Sequence, residues 1–157
     1  MMNYTAHKNI SDKWISRYLT LAKDISTWSL DPSRKIGAVA VGSKGQILSQ
    51  GYNGFPRGIK DTEERLNDRE QKYKYVVHAE MNVIYNATFN GVSLDGAHLF
   101  VYGLPACSEC AKGIIQVGVK KVYIYTDEKI PETWSNSWSN TSQMFDEAGV
   151  EYIWYYK

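Results

Sequence analysis

Two short stretches of this chain hold residue types that can do chemistry together. Cys107 and Cys110 are its only cysteines, and His78-Ala79-Glu80 lies upstream of them. Two thiols separated by two residues rule out a framework of several disulfides and leave a redox dithiol or a metal site. By itself the pair does not choose between them. His78 adds an imidazole, and thiolate with imidazole is a ligand set that zinc takes readily. A structural zinc asks for a fourth protein ligand, whereas a catalytic one leaves that position to water. The other two histidines are poor fourth ligands, because His7 lies near the N-terminus and His98 at the start of a strand, where both read as ordinary surface or core residues. Glu80 next to an open metal position therefore points to a catalytic zinc. Its bound water ionises near neutral pH, and the carboxylate is there to move the proton.

Such a site constrains the elements that carry it. Glu80 stands two residues from His78, about 200° around an ideal helix, so the pair converges only if both belong to a first turn whose N-terminus faces the metal. The partial positive charge of helix N-termini also favours the thiolates of Cys107 and Cys110. Two helix starts facing one zinc is the expected architecture.

The surrounding pattern supplies those helices. Trp14, Ile15, Tyr18, Leu19, Ala22 and Ile25 recur at helical spacing behind Ser11 as N-cap, which predicts a helix over about 11–28, stopped by Asp31-Pro32-Ser33. The run 36–41 and the segment 47–52 read as a β-hairpin across a turn at 42–45. Residues 54–75 are punctuated by glycine and then heavily charged, and read as an excursion or lid. A helix is expected from near His78 to Asn90-Gly91. Strand 98–102, helix 107–116 and strand 119–125 form a right-handed crossover between parallel strands, which makes the core α/β. The stretch from 127 to about 140, rich in Ser, Asn and Trp, has no clear element and reads as a mobile loop near the site. A short helix over 141–148, closed by Gly149, and an aromatic strand over 150–156 end the chain.

With 157 residues the chain fits one domain spanning 1–157. Its 18 basic and 17 acidic residues leave a formal charge of +1, which argues against a stable nucleic-acid partner. No stretch approaches the roughly 18 apolar residues of a membrane span, and no secretory signal is evident, so a soluble, cytoplasmic protein is expected.

His-x-Glu followed by Pro-Cys-x-x-Cys is the signature of zinc deaminases acting on cytosine or adenine. Four stretches carry a wider resemblance: Asp31-Pro32-Ser33-Arg34-Lys35-Ile36-Gly37-Ala38-Val39, Gly51-Tyr52-Asn53-Gly54-Phe55-Pro56-Arg57-Gly58, Lys74-Tyr75-Val76-Val77-His78-Ala79-Glu80-Met81-Asn82 and Cys107-Ser108-Glu109-Cys110-Ala111-Lys112. From Asp31 to about Tyr125 the chain resembles the cytidine and deoxycytidylate deaminase superfamily. Gly-Tyr-Asn-Gly, followed by a charged insertion before His-Ala-Glu, favours the deoxycytidylate branch.

The resemblance implies a layered α/β fold with a central five-stranded mixed sheet flanked by helices, assembled as a homohexamer. It implies dCMP as substrate, dCTP as activator and dTTP as inhibitor, with Mg2+ on the effector phosphates. Water activated at the zinc would attack C4 of the cytosine ring, with Glu80 passing its proton to N3 and then helping ammonia leave. His78, Cys107 and Cys110 would hold one zinc per chain, since residues 54–75 offer no Cys or His for a second. Asn53, Ala79, Arg57 and Arg69 are the implied substrate contacts, Asn53 on the sugar. Lys35, Gly51, Tyr52, Asn53 and Gly54 are the implied effector contacts, although turn chemistry alone also explains such glycines. Arg57, Arg69 and Lys74 could reach a phosphate, but Asp61, Glu63, Glu64, Asp68 and Glu70 stand beside them, so most of these charges read as a solvated, salt-bridged face. One departure concerns Ala106, which separates Pro105 from Cys107 where the family places Pro directly before Cys. Another cytosine nucleotide is the alternative substrate, and the competing readings are deamination of a base within RNA or DNA and a non-catalytic zinc-stabilised module. Near-neutral charge disfavours the first, and Glu80 beside an open metal position the second.

Overall fold

The computed structural model describes residues 10–155, so His7 lies outside the described residues. In chain order the elements are α1 (Asp12–Ser26), β1 (Gly37–Val41), β2 (Ile47–Tyr52), α2 (Glu63–Asn67), α3 (Arg69–Tyr75), α4 (Ala79–Phe89), β3 (His98–Tyr102), α5 (Ser108–Gln116), β4 (Lys121–Tyr125), α6 (Ser135–Ala148) and β5 (Glu151–Trp154). The strands form one mixed sheet in the order β2-β1-β3-β4-β5. β1 pairs antiparallel with β2 and β3, while β3, β4 and β5 run parallel. Both parallel steps are made by a helix, α5 in the first and α6 in the second, as the long crossover between parallel strands requires.

Alternation along the strands divides the core into two layers. Ala38, Ala40, Leu99, Val101, Val122 and Ile124 point to the face covered by α4, α5 and α6. Val39, Val41, Phe100, Tyr102 and Tyr123 point to the opposite face, where α1 lays down Ile15, Tyr18, Leu19, Ala22 and Ile25. Burying each such large apolar side chain stabilises the fold by roughly 1.5–3 kcal/mol. β1 and β3 are buried along their whole length, which is why they read as continuous apolar runs rather than alternating ones. Ser11 caps α1 as expected, its Oγ accepting the Trp14 N–H at 3.5 Å.

Two segments differ from the sequence reading. The excursion at 54–75 contains α2 and α3, joined at Asp68, whose backbone ends one helix while its carboxylate caps the next through the Glu70 and Gln71 N–H groups. The stretch at 127–140 is not a loop throughout: a 3₁₀ turn at Glu132–Trp134 leads into α6, which begins six residues before the expected Thr141. Serine and asparagine are indifferent helix formers and mask the period. Packing overrides them, because Trp138 meets Tyr152 and Trp154 of β5 edge-on at 5.3 and 5.5 Å, and Phe145 is fully buried. Gly149, at φ 79°, ends α6 in the left-handed conformation that glycine adopts without strain. Among the described residues no helix is long and apolar enough to cross a membrane.

Candidate active site

The chemistry stands at two helix starts. His78 is the N-cap of α4 and Cys107 the N-cap of α5. His78 has extended backbone angles, so it and Glu80 do not share an ideal helix, and the 200° separation that would part them on one does not apply. What brings α4 to the sheet is β2. A Cβ built on Gly51 would stand 2.7 Å from the Val83 nitrogen and 2.8 Å from the Ala79 carbonyl oxygen, so only glycine lets the helix lie this close. Side chains then fasten the contact: Asn82 Nδ2 donates to the Tyr52 carbonyl at 2.8 Å, Ser49 Oγ to that of Val83 at 2.8 Å, and Asn86 Nδ2 to that of Gln50 at 2.7 Å.

His78 Nδ1 lies 3.4 Å from Cys107 Sγ and 3.4 Å from Cys110 Sγ, and the three ligand atoms lie within 4.8 Å of one another. A tetrahedral ion with bonds of about 2.0 Å to nitrogen and 2.3 Å to sulfur spaces nitrogen from sulfur at about 3.5 Å and the two sulfurs at about 3.8 Å, so the donor set fits zinc in both chemistry and size. The side chains also polarise each other. The hydrogen bond from Cys110, with help from His78, holds the Cys107 thiol well below the usual thiol range, and the same bond together with burial pushes Cys110 up. His78 is raised, chiefly by its bond to Cys107. Glu80 is 4% exposed, and burial pushes its carboxyl up to about 7 against the pull of His78.

His78, Glu80 and Cys107 line a cleft of about 880 Å³ with three walls, and Cys110 is buried behind them. One wall is the segment 31–36 with Asn53. The second is the charged insertion, through Leu66, Asn67, Arg69, Lys72, Tyr73 and Val76. The third comes from the C-terminal part of the chain, through Pro131, Thr133, Trp134 and Ser137.

The residues expected at the substrate are only partly gathered here. Ala79 and Arg69 line the cleft. Asn53 lines it too, with its amide already in use: Oδ1 accepts the Ile36 N–H at 2.8 Å, and Nδ2 donates to the Arg34 carbonyl at 2.9 Å, which leaves one amide hydrogen. Arg57 is placed elsewhere. Its guanidinium donates to Asn86 Oδ1 at 2.6 Å and lies over the Phe89 ring, because the turn at 56–59 carries it to the outer end of α4.

The expected effector residues divide in the same way. Tyr52, Asn53 and Gly54 border a small pocket of about 200 Å³ together with Trp28 and Phe55, and it shares Asp31, Asn53, Leu66, Lys72 and Val76 with the cleft. Gly51 instead faces α4, and Lys35 donates to the Ser29 carbonyl at 2.5 Å and lines neither space.

Four residues that shape the cleft escaped the sequence reading. Lys72 was one charge among many, yet it is buried and paired with Asp31. Arg34 joins two loops by donating to the carbonyls of Gly103 at 3.4 Å and Lys129 at 3.0 Å. Trp134 and Ser137 belong to the stretch without an assigned element. The signal that could have found them is the recurrence of Trp134, Trp138, Thr141 and Phe145 along one helical stripe.

Comparison with known proteins agrees with this geometry. Residues 12–126 match the family model described as the cytidine and deoxycytidylate deaminase zinc-binding region. Over 143 residues the chain is 37% identical to the "Uncharacterized deaminase in luxG 3'region" of Aliivibrio fischeri, covering 90% of this chain and 93% of that one. It is 35% identical over 145 residues to the deoxycytidylate deaminase of Homo sapiens, covering 89% and 78%. The crystal structure of dCMP deaminase from the cyanophage S-TIM5, in complex with dCMP and dUMP, superposes with a TM-score of 0.74 at 28% identity, covering 93% of this chain and 99% of that one.

Proposed function

Because the chain belongs to the cytidine and deoxycytidylate deaminase zinc-binding family, we propose that it deaminates a cytosine nucleotide by hydrolysis, converting dCMP to dUMP and ammonia. The observation that carries this reading is the convergence of His78, Cys107 and Cys110 on one point, with the buried Glu80 beside them, inside a cleft of nucleotide size. Zinc, when bound, supplies hydroxide at neutral pH by lowering the pKa of a coordinated water to about 7.

The chain's own residues do the rest. His78, Cys107 and Cys110 hold the ion. Glu80 takes a proton at its carboxylate, delivers it to N3 of the ring and then serves the departing amine. Its burial keeps that proton from exchanging with bulk water. Ala79, fully buried at the start of α4, forms part of the wall against the base, and Asn53 has one amide hydrogen left for the sugar. Arg69, exposed at the cleft rim, is the cation best placed for the phosphate.

Regulation belongs to the same proposal. dCTP activates and dTTP inhibits, with Mg2+ on the effector phosphates, through the small pocket beside Tyr52 and Gly54. The support is the wall this pocket shares with the cleft, since a ligand that prefers one arrangement of Asn53 and Lys72 biases both spaces. Tyr85 and Phe89, exposed one turn apart on α4, offer an apolar patch for assembly of copies into a hexamer. A cytoplasmic location suits thiols that must stay reduced.

Ammonia release from dCMP, CMP, dCTP, deoxycytidine and a cytosine-containing oligonucleotide, with and without dCTP and dTTP, tests the reading. The expected result is turnover of dCMP well above the others, with opposite responses to the two effectors. A zinc-loaded protein that releases no ammonia from any cytosine nucleotide overturns the enzymatic reading.

A further inference from the structure

Three side chains from one stretch of the chain grip the loop that carries Cys107. Trp134 Nε1 donates to the Pro105 carbonyl at 3.0 Å, Thr141 Oγ1 donates to the Ala106 carbonyl at 2.9 Å, and Ser137 Oγ accepts the Ser108 N–H at 2.9 Å. Positions 134, 137 and 141 follow three- and four-residue steps along the 3₁₀ turn and the α6 helix that continues it, so one continuous helical stretch delivers all three groups. Cys107 sits between the residues they hold. Thr141 and Ala106 are both fully buried, so neither can exchange its bond for one to water.

The grip also answers a difficulty at the start of α5. Cys107 is the N-cap, and the sulfur that accepts the Cys110 N–H at 3.4 Å is the same sulfur that faces His78. One sulfur cannot satisfy every free N–H group of a helix start. Ser137 brings an oxygen acceptor to that start from another helix. Ala106, the residue by which this chain departs from the Pro-Cys pattern, is accommodated by Thr141, which takes up its carbonyl.

We propose that Trp134, Ser137 and Thr141 are positioning residues that fix Cys107 against His78, and thereby tie α6 to zinc retention and to the shape of the cleft wall. The inference rests on the zinc reading of the site and does not depend on which nucleotide is the substrate. Outer-shell partners of metal ligands change metal affinity or activity by about 10- to 100-fold when removed, which sets the size of the effect.

The test compares zinc-loaded Thr141→Val, Thr141→Ser and Trp134→Phe proteins with the unmodified chain. The readouts are the rate of zinc transfer to a chromogenic chelator, the melting temperature, and kcat and KM for dCMP. Val keeps the shape of Thr without the donor, and Ser keeps the donor. Thr141→Val and Trp134→Phe are expected to release zinc about 10- to 100-fold faster, with Thr141→Ser close to the unmodified rate. Equal release rates for Thr141→Val and the unmodified protein overturn the proposal, as does equally fast release from Thr141→Ser and Thr141→Val. Faster release that vanishes when the proteins are compared at equal distances below their melting temperatures shows a stability defect only, and also overturns it. Zinc transfer is read without substrate, so a protein inactive on dCMP still decides the question. A protein that takes up no zinc overturns this inference together with the metal reading.

Discussion

Lys72 on α3 places its Nζ 3.1 Å from Asp31 Oδ1, with the two side chains only 10% and 11% exposed. Asp31 Oδ1 also accepts the N–H groups of Ser33 at 2.8 Å and Arg34 at 3.1 Å. One carboxylate therefore anchors both the charged insertion and the loop before β1, on either side of the cleft. Removing one partner of a buried pair leaves an uncompensated charge, so Lys72→Met should destabilise the protein by about 3 kcal/mol. Urea denaturation measures it, and a loss under about 0.5 kcal/mol would mean that the pair is hydrated like an ordinary surface bridge.

Glu80→Gln should keep zinc and fold while lowering turnover by a factor of about 10² to 10⁴, because the amide has the shape of the carboxylate and cannot carry protons. Zinc content, circular dichroism and ammonia release on one preparation check this. Turnover within tenfold of the unmodified enzyme would remove Glu80 from the proton path.

Cys107→Ser and Cys110→Ser should each lose zinc and activity together, since a hydroxyl is a poor ligand where a thiolate is needed. Full zinc occupancy by metal analysis in either variant is the result that counts against the three-ligand site.

Tyr52 is 37% exposed and meets Trp28 edge-on at 6.0 Å beside the small pocket, while its carbonyl, which any residue supplies, holds Asn82. Tyr52→Ala should therefore blunt the response of dCMP turnover to both dCTP and dTTP, leaving zinc content and melting temperature nearly unchanged. A fall in melting temperature and basal activity together, with the effector response intact, would make Tyr52 a packing residue only.

Asp127 accepts from Lys23 and, at 2.8 Å, from the Tyr102 hydroxyl, and the Lys23 bond holds its carboxyl below the usual range. A carboxyl whose pKa is lowered by folding stabilises the protein above its unfolded pKa of about 3.9, and that contribution fades as the pH falls through the folded value. Asp127→Asn should flatten the acid side of the stability profile below about pH 4 and leave the neutral side with a small constant loss. The urea midpoint across pH 2.5–7 (a range of about 4.5 units around that pKa) reads it out, and parallel acid limbs for the two proteins would refute the assignment.

How much of this was legible in the sequence follows from the range of the forces involved. The helix at 12–26 with its Ser11 cap, the hairpin, the β3–α5–β4 crossover and the pairing of His78 with Cys107 and Cys110 depend on local period, capping and ligand spacing, and all could be read from residue types alone. His78, Cys107, Cys110 and Glu80 stood out as candidates for the same reason, since the chemistry of a metal site demands particular side chains whatever surrounds them. What surrounds them depended on distant contacts. Arg57 and Arg69 are both arginines near a glycine-rich or charged stretch, yet one rests on α4 and the other lines the cleft, because a turn and a helix send them to different places. Lys72 lies in a heavily charged stretch that does not single it out, and α3 carries it to Asp31, 41 residues away in sequence. Ser135 to Thr141 has too little helix propensity to declare itself, and burial against β5 and the Cys107 loop supplies the energy that the local sequence lacks. Local interactions wrote His78, Glu80, Cys107 and Cys110 into the chain, and only tertiary packing, acting between segments far apart in sequence, decided which other side chains would form the walls around them.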